Sequence, residues 1–76
     1  MNAIRENLRA ARKAAGLTQQ ALADRLGISL RQYQQIEYSE RKGAFEVWDA
    51  LEDILGIHQR ILRESSNRNP ALKESP

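Results

Sequence analysis

The stretch SLRQYQQIE, residues 29–37, concentrates side chains that can form paired hydrogen bonds. It contains Arg31 and three glutamines, Gln32, Gln34 and Gln35. An arginine guanidinium can donate two hydrogen bonds to guanine, and a glutamine amide can pair with adenine through one donor and one acceptor. The same glutamines also suit a solvated helix surface that has no partner. The composition alone therefore leaves two interpretations open, a plain polar surface and a surface that contacts DNA bases.

Two short helices joined by a tight turn would position these side chains. Thr18 is a good N-cap for a helix over about residues 19–25, and Ser29 is one for a helix over about residues 30–37. Gly27 supplies a turn conformation that a β-carbon resists. This is the layout of a helix-turn-helix. Apolar residues at helical spacing would fix the angle between the two helices: Leu22, Ala23, Leu26, Ile28, Tyr33 and Ile36.

Three further helices are predicted around this pair. Helical spacing of apolar residues predicts helices over about residues 2–15, 45–55 and 58–64. Phe45 and Trp48 are expected in the core or partly in it. No segment shows the alternation of a strand together with turn signals. The sequence therefore predicts an all-α fold, a compact five-helix bundle.

Length and composition limit the domain organisation and the chemistry. The 76 residues allow one small domain, predicted over residues 1–64 and followed by a tail or linker, residues 65–76, that is expected to be disordered. The chain contains no cysteine, which excludes thiol chemistry and suits a cytoplasmic location. No apolar run is long enough to span a membrane. His58 stands alone and no catalytic constellation is evident, so we expect no enzymatic activity, no cofactor and no metal site.

The charge is unevenly distributed, although the net charge is only +2. Residues 1–42 carry eight Lys and Arg against four Asp and Glu, and residues 43–76 carry four against six. A basic first half suits an anionic partner, although ordinary surface charge is an equal explanation. Three basic side chains of the first helix are expected to face solvent: Arg5, Arg9 and Lys13. The acidic face of the fourth helix is expected to point away from nucleic acid: Glu46, Asp49, Glu52 and Asp53.

The segment LRAARKAAGLTQQALADRLGISLRQYQQIEYSERK resembles the phage-repressor/Cro-type helix-turn-helix family of bacterial and phage transcription regulators. The matching features are LTQxxLA, LGIS and the pair IE, all in one register. The resemblance extends over about residues 4–57 and places the helix-turn-helix at about residues 18–37. It implies a lambda-repressor-like domain that binds double-stranded DNA, with the helix over residues 30–37 in the major groove. The resemblance therefore implies that the protein is a repressor, which would bind a palindromic operator as a homodimer.

The resemblance also implies roles for individual residues. Arg12 would form an ion pair with Glu37 inside the domain, which makes Glu37 structural. A carboxylate that faced phosphates would be repelled, and this independently favours an internal partner. The outward side chains of the third helix would contact bases: Leu30, Arg31, Gln32, Gln34 and Gln35. A second set would contact the DNA backbone: Thr18, Gln19, Arg41 and Lys42.

The chain departs from the family pattern just after the third helix. Tyr38 and Ser39 stand where Asn-Gly is usual, and Gly43 stands near the position of a usual proline. The resemblance therefore does not predict the conformation of this loop or its phosphate contacts.

Two matters stay open at the level of sequence. Ile57, Ile61 and Leu62 are the candidates for a dimer surface, but the same residues would also serve to close the monomer core. The acidic fourth helix and the tail also suit a protein partner, so an antitoxin that binds a toxin is the alternative function. RNA binding is disfavoured, because aromatic residues are few and none belongs to the outward set of the third helix.

Overall fold

The computed structural model describes residues 4–64, and these residues form five α-helices and no strand. The helices are α1 Glu6–Ala14, α2 Gln19–Leu26, α3 Leu30–Glu37, α4 Phe45–Leu55 and α5 Gln59–Leu62. The all-α fold predicted from the sequence is confirmed. The predicted tail over residues 65–76 lies outside the described residues.

Capping residues explain where α2 and α3 begin. The Thr18 hydroxyl accepts a hydrogen bond from the Ala21 amide at 3.0 Å, and the Ser29 hydroxyl accepts one from the Gln32 amide at 3.1 Å. Each bond satisfies an amide that has no partner within its own helix. Gly27 ends α2 with a left-handed φ of 74°, which suits a residue without a β-carbon. The turn between α2 and α3 is therefore short, and it fixes how α3 leaves α2.

The first helix is shorter than the predicted span of residues 2–15. Its first helical residue is Glu6, because the Arg5 amide donates to the carbonyl oxygen of Glu37 at 2.8 Å and thereby ties the preceding segment to α3. At the other end, the Leu17 amide donates to the Arg12 carbonyl oxygen at 3.1 Å. A long-range backbone hydrogen bond thus precedes the first residue of α1, and a local one follows its last residue.

A single core forms where the five helices meet. Trp48 lies in it, and its indole nitrogen donates to the Lys42 carbonyl oxygen at 2.7 Å. Phe45 is 71% exposed, so its predicted core position is wrong. Phe45 is the first residue of α4 and lies off the helix stripe that Trp48 and Leu51 bury. The buried apolar side chains are Leu8, Ala11, Leu22, Ala23, Tyr33, Ile36, Trp48, Leu51 and Leu62.

The three dimer candidates have different environments in this core. Leu62 is fully buried and closes the monomer core. Ile57 is half-buried and packs against the core. Ile61 is 46% exposed. Of the three, only Ile61 keeps a large exposed apolar side chain that a second copy could cover.

Arg5 holds the start of the chain against the rest of the domain. The expectation that it faces solvent is wrong, because its guanidinium donates to the carbonyl oxygens of Ile36, Arg41 and Arg63. It also lies 5.2 Å from the centroid of the Trp48 ring, within the range of a cation–π interaction. Burial and the charge of Arg63 lower the pKa of Arg5. A single side chain thus connects α3, the following loop and the end of α5.

Ser39 adopts a backbone conformation that favours glycine. Its φ is 62°, the one positive value at a non-glycine residue in the described part of the chain. Its hydroxyl oxygen is buried and has no hydrogen-bond partner. A left-handed conformation costs a non-glycine residue about 1–2 kcal/mol, and a buried hydroxyl without a partner adds to that cost. Ser39 is therefore a local source of instability.

We expect Ser39→Gly to raise the free energy of unfolding by about 1 kcal/mol, because it removes both costs while glycine loses somewhat more chain entropy on folding. Urea denaturation of both proteins measures the change. Ala10→Gly, on the exposed side of α1, is the control, because a helical glycine lowers stability by about 1 kcal/mol. A Ser39→Gly protein that is less stable than the parent would contradict this account.

Candidate nucleic-acid interface

The outward face of α3 forms a shallow cleft. Arg31, Gln34 and Gln35 line it together with Tyr38 and Glu40, and its volume is about 180 Å³. Arg31 is exposed, and the two glutamines are half-buried. Three of the five predicted base-contacting side chains therefore share one surface. That surface carries two hydrogen-bonding amides and one guanidinium.

Tyr38 and Glu40 also line this face, although neither was among the base contacts predicted from the sequence. Tyr38 stands four residues after Gln34 and seven after Arg31, which is the spacing of one helical face. It follows the last residue of α3 directly, so that spacing would have been sufficient to find it. Glu40 comes from the loop, and its position depends on the backbone turn at Ser39, for which the sequence carries no comparable signal.

Gln32 and Leu30, which were also predicted to contact bases, do not line this cleft. The Gln32 side chain accepts a hydrogen bond from the Ser29 amide at 3.0 Å and so completes a capping box at the start of α3. The motif Ser-x-x-Gln before an apolar position is the sequence signal for such a box. Leu30 is half-buried beside it. In this arrangement the Gln32 carbonyl oxygen serves the helix terminus, and Leu30 retains only part of its surface for a ligand.

A buried ion pair fixes α3 against α1. Arg12 Nε donates to Glu37 Oε1 at 3.0 Å, and Nη2 donates to Oε2 at 3.3 Å. The Tyr33 hydroxyl also donates to Oε1, at 2.6 Å. Glu37 is only 1% exposed. The structure thus brings together the two residues assigned to a structural ion pair, and it adds Tyr33 as a third member.

The pKa values of Arg12 and Tyr33 keep these two side chains in the forms that donate hydrogen bonds. Burial alone would lower the pKa of Arg12, but the hydrogen bond and the charge of Glu37 outweigh it and raise that pKa. Burial raises the pKa of Tyr33, and the hydrogen bond to Glu37 raises it further. Arg12 therefore stays charged and Tyr33 stays protonated. Both side chains donate to a carboxylate that only accepts.

Gln19 connects the ion pair to the cleft. Its side-chain nitrogen donates to Glu37 Oε2 at 3.2 Å, and its side-chain oxygen accepts from Gln34 Nε2 at 3.1 Å. The same nitrogen lies 3.4 Å from the Tyr38 hydroxyl. The sequence predicted a DNA-backbone contact for Gln19. In the structure both polar atoms of its amide have partners inside the protein.

The cationic side chains border the cleft on two sides. Lys42 and Arg41 are exposed just beyond α3, and Arg41 Nε donates to Gln35 Oε1 at 2.7 Å. On the other side, Lys13 and Thr18 line an open depression of about 440 Å³ next to the start of α2. Positive charge therefore lies on both sides of the outward face of α3. This distribution suits an extended polyanion.

Residues 4–64 contain neither a candidate metal site nor a membrane-spanning helix. No group of three or more His, Cys, Asp or Glu side chains there has the arrangement to hold a metal ion. None of the five helices has the length and apolar character needed to cross a membrane.

Comparison with known proteins gives one match. A protein-family model described as Helix-turn-helix matches residues 8–62, which is more than half of the chain. No curated protein and no solved structure matches the chain. The matched region contains α1 to α5 almost entirely and includes every residue that lines the cleft.

Proposed function

Because this chain belongs to the helix-turn-helix family of phage-repressor and Cro-type regulators, we propose that it is a repressor that inserts α3 into the major groove of its operator. The family is one of DNA-binding regulators and not of enzymes. One observation carries the proposal: Arg31, Gln34 and Gln35 line a single outward cleft. The helix that presents them is held at a fixed angle by the buried pair of Arg12 and Glu37.

The proposed contacts divide into those that specify sequence and those that add affinity. Arg31 donates to guanine, and Gln34 and Gln35 contact neighbouring bases. Arg41 and Lys42 contact phosphates, which adds affinity and salt dependence without specificity. The helix start at Thr18 suits a phosphate as well, because its amides and dipole favour negative charge.

The proposed operator is palindromic. One helix of eight residues contacts only a few base pairs, and repressors of this type bind two half-sites about 34 Å apart as a two-fold dimer. Ile61 is the proposed centre of the dimer surface, since it is exposed and lies on α5. The protein would act in the cytoplasm, where operator DNA is accessible.

A binding selection with randomised duplex DNA tests the function. The full chain is incubated with the library, bound duplexes are sequenced, and the selection is repeated at two salt concentrations. Enrichment of one palindromic motif at both concentrations is expected. Binding that shows no sequence preference and disappears at the higher salt concentration would exclude a sequence-specific repressor.

Arg31→Ala and Lys42→Ala are expected to weaken DNA binding in different ways. Loss of Arg31 removes a base contact, so we expect a loss of about 2 kcal/mol and a relaxed preference at one base position. Loss of Lys42 removes a phosphate contact, so all sequences weaken alike and the slope of log K against log salt falls by about one. Fluorescence-anisotropy titrations with single-base operator variants measure both effects. An unchanged preference in Arg31→Ala would contradict its assigned role.

A protein-interaction role is the second candidate, and one surface favours it. Phe45 is exposed at the start of α4, and Glu46, Asp49 and Asp53 are exposed beside it. An apolar side chain within an acidic surface suits a basic protein partner, as in an antitoxin that binds a toxin. This surface is separate from the cleft, so both roles can coexist. Phe45→Ala should then leave the selected DNA motif unchanged.

A further inference from the structure

We propose that Gln34 and Gln35, which are neighbours in the sequence, are held with opposite amide orientations. Gln34 turns its carbonyl oxygen to the DNA and accepts a hydrogen bond, whereas Gln35 turns its amide nitrogen to the DNA and donates one. The inference rests on the proposed function, because it specifies which bases the cleft recognises. It follows from two separate hydrogen-bond chains, each of which ends at a group that can only accept or only donate.

The first chain begins at the buried carboxylate of Glu37. A carboxylate only accepts hydrogen bonds, so the Gln19 side chain must turn its nitrogen to Glu37, at 3.2 Å. The Gln19 oxygen then faces Gln34, and Gln34 must supply its nitrogen, at 3.1 Å. The carbonyl oxygen of Gln34 is consequently directed away from α2. The buried carboxylate of Glu37 thus sets the orientation of the Gln34 amide, with Gln19 as the link between them.

The second chain begins at Arg41. A guanidinium only donates hydrogen bonds, and Arg41 Nε donates to the Gln35 side-chain oxygen at 2.7 Å. The oxygen of Gln35 is therefore engaged, and its nitrogen is the group left for a ligand. The loop after α3 holds Arg41 in place, because its amide and that of Glu40 both donate to the Gln35 carbonyl oxygen.

Reversing either amide would break the hydrogen bond that holds it. Exchanging oxygen and nitrogen in Gln34 would set two carbonyl oxygens face to face, at Gln19 and Gln34. The same exchange in Gln35 would set an amide nitrogen against the guanidinium of Arg41. The two amides are therefore fixed before DNA arrives, which reduces the side-chain entropy that binding must remove.

The orientations define the chemical class of each contacted base. In the major groove, the hydrogen-bond donors are the amino groups N6 of adenine and N4 of cytosine, and the acceptors are O6 and N7 of guanine, N7 of adenine and O4 of thymine. Gln34 would thus select a base with an amino group. Gln35 would select a base with a major-groove acceptor, which is guanine, thymine or adenine through N7, and would discriminate against cytosine. A glutamine free to rotate would make neither distinction.

The test compares Gln34→Glu with Gln35→Glu. Both substitutions keep the side-chain length, and both add one negative charge to the same face, so each serves as the electrostatic control of the other. A glutamate can only accept, as Gln34 is proposed to do. Gln34→Glu loses the hydrogen bond to the Gln19 oxygen, but its outward atom still only accepts, so we expect weaker binding with the same base preference at its position. Gln35→Glu still accepts from Arg41, and we expect it to lose a preference of about tenfold at its position and to turn toward bases with an amino group.

Variants of the two supporting residues provide a second measurement. Gln19→Met and Arg41→Met should each flatten the preference at one base position only, the first at the base contacted by Gln34 and the second at the base contacted by Gln35. Gln20→Met is the matched control, because Gln20 also lies on α2 and, within residues 4–64, its side chain bonds only to Asp24, at 2.9 Å. It should leave the whole motif unchanged. Thermal unfolding of each variant confirms that the domain is folded.

The outcomes separate this inference from the proposed function. A wild-type motif together with Gln34→Glu and Gln35→Glu variants that change preference in the same way would overturn the inference and leave the repressor assignment in place. A Gln19→Met protein that weakens on all sequences alike would do the same, since it would make Gln19 a backbone contact. A wild-type protein that selects no motif would overturn the proposed function, and the inference would fall with it.

Discussion

Glu37→Gln is expected to lower the free energy of unfolding by about 3–5 kcal/mol, because it leaves the buried Arg12 guanidinium without its counter-charge. Arg12 and Glu37 are both buried, and two hydrogen bonds of 3.0 and 3.3 Å join them. Glutamine has nearly the same shape as glutamate, so the loss reports the missing charge and not a cavity. The Tyr33 hydroxyl also loses a charged acceptor at 2.6 Å. Urea denaturation followed by circular dichroism measures the change.

Glu6→Gln is the matched control. Glu6 pairs with Arg9 at 3.9 Å on the surface of α1, and exposed pairs of this kind contribute about 0–1 kcal/mol. The two substitutions are chemically identical and differ only in burial. If both changed stability by the same small amount, the internal ion pair would not be what fixes α3 against α1, and the orientation of Gln19 would need another cause.

The parts of the fold that local signals encode could be predicted from the sequence. The predicted spans of residues 30–37 and 45–55 agree with α3 and α4 as observed. Serine before α3 and glycine after α4 mark these boundaries by the hydrogen bonds and the backbone conformation they allow. Signals of this kind lie within a few residues of the feature they determine, so they are visible in a single sequence.

Contacts between distant segments were not predictable in the same way. The Arg5 guanidinium donates to three carbonyl oxygens, all of them more than 30 residues away. Every residue has a carbonyl oxygen, so nothing in the side-chain sequence distinguishes an acceptor for Arg5. The predicted burial of Phe45 was wrong for a related reason. An apolar residue at the first position of a helix can lie on the buried stripe or beside it, and the sequence pattern does not distinguish the two.

The candidate site shows the same division. Its location on α3 followed from the helix-turn-helix pattern, and Arg31 lies on the outward face as expected. The orientation of each side chain depends on partners that the pattern does not include, such as Arg41 for Gln35 and Gln19 for Gln34. The sequence therefore indicated three residues of this surface, and the structure adds Tyr38 and Glu40 and indicates which atom Gln34 and Gln35 turn outward.

Gly43→Ala is expected to lower the free energy of unfolding by about 3 kcal/mol, the sum of backbone strain and a steric clash. Gly43 has a φ of 86°, which L side chains rarely adopt, and an added β-carbon would lie 2.7 Å from the Trp48 indole nitrogen. That nitrogen donates to the Lys42 carbonyl oxygen at 2.7 Å, so the methyl group must displace either the indole or the loop. Thermal unfolding monitored by the fluorescence of Trp48, the single tryptophan of the chain, measures both the stability and the local change.

Gly56→Ala separates the two causes. Gly56 has a similar φ of 72°, but a β-carbon there meets nothing within 4 Å, so only the backbone cost of about 1–2 kcal/mol is expected. Equal losses in the two variants would show that Trp48 yields easily and that the clash carries no cost. A larger loss in Gly43→Ala, with altered Trp48 fluorescence, would mean that the core fixes the loop bearing Arg41 and Lys42. Because Arg41 donates to Gln35, the packing of Gly43 against the Trp48 indole would then affect the proposed base contact of Gln35 as well as stability.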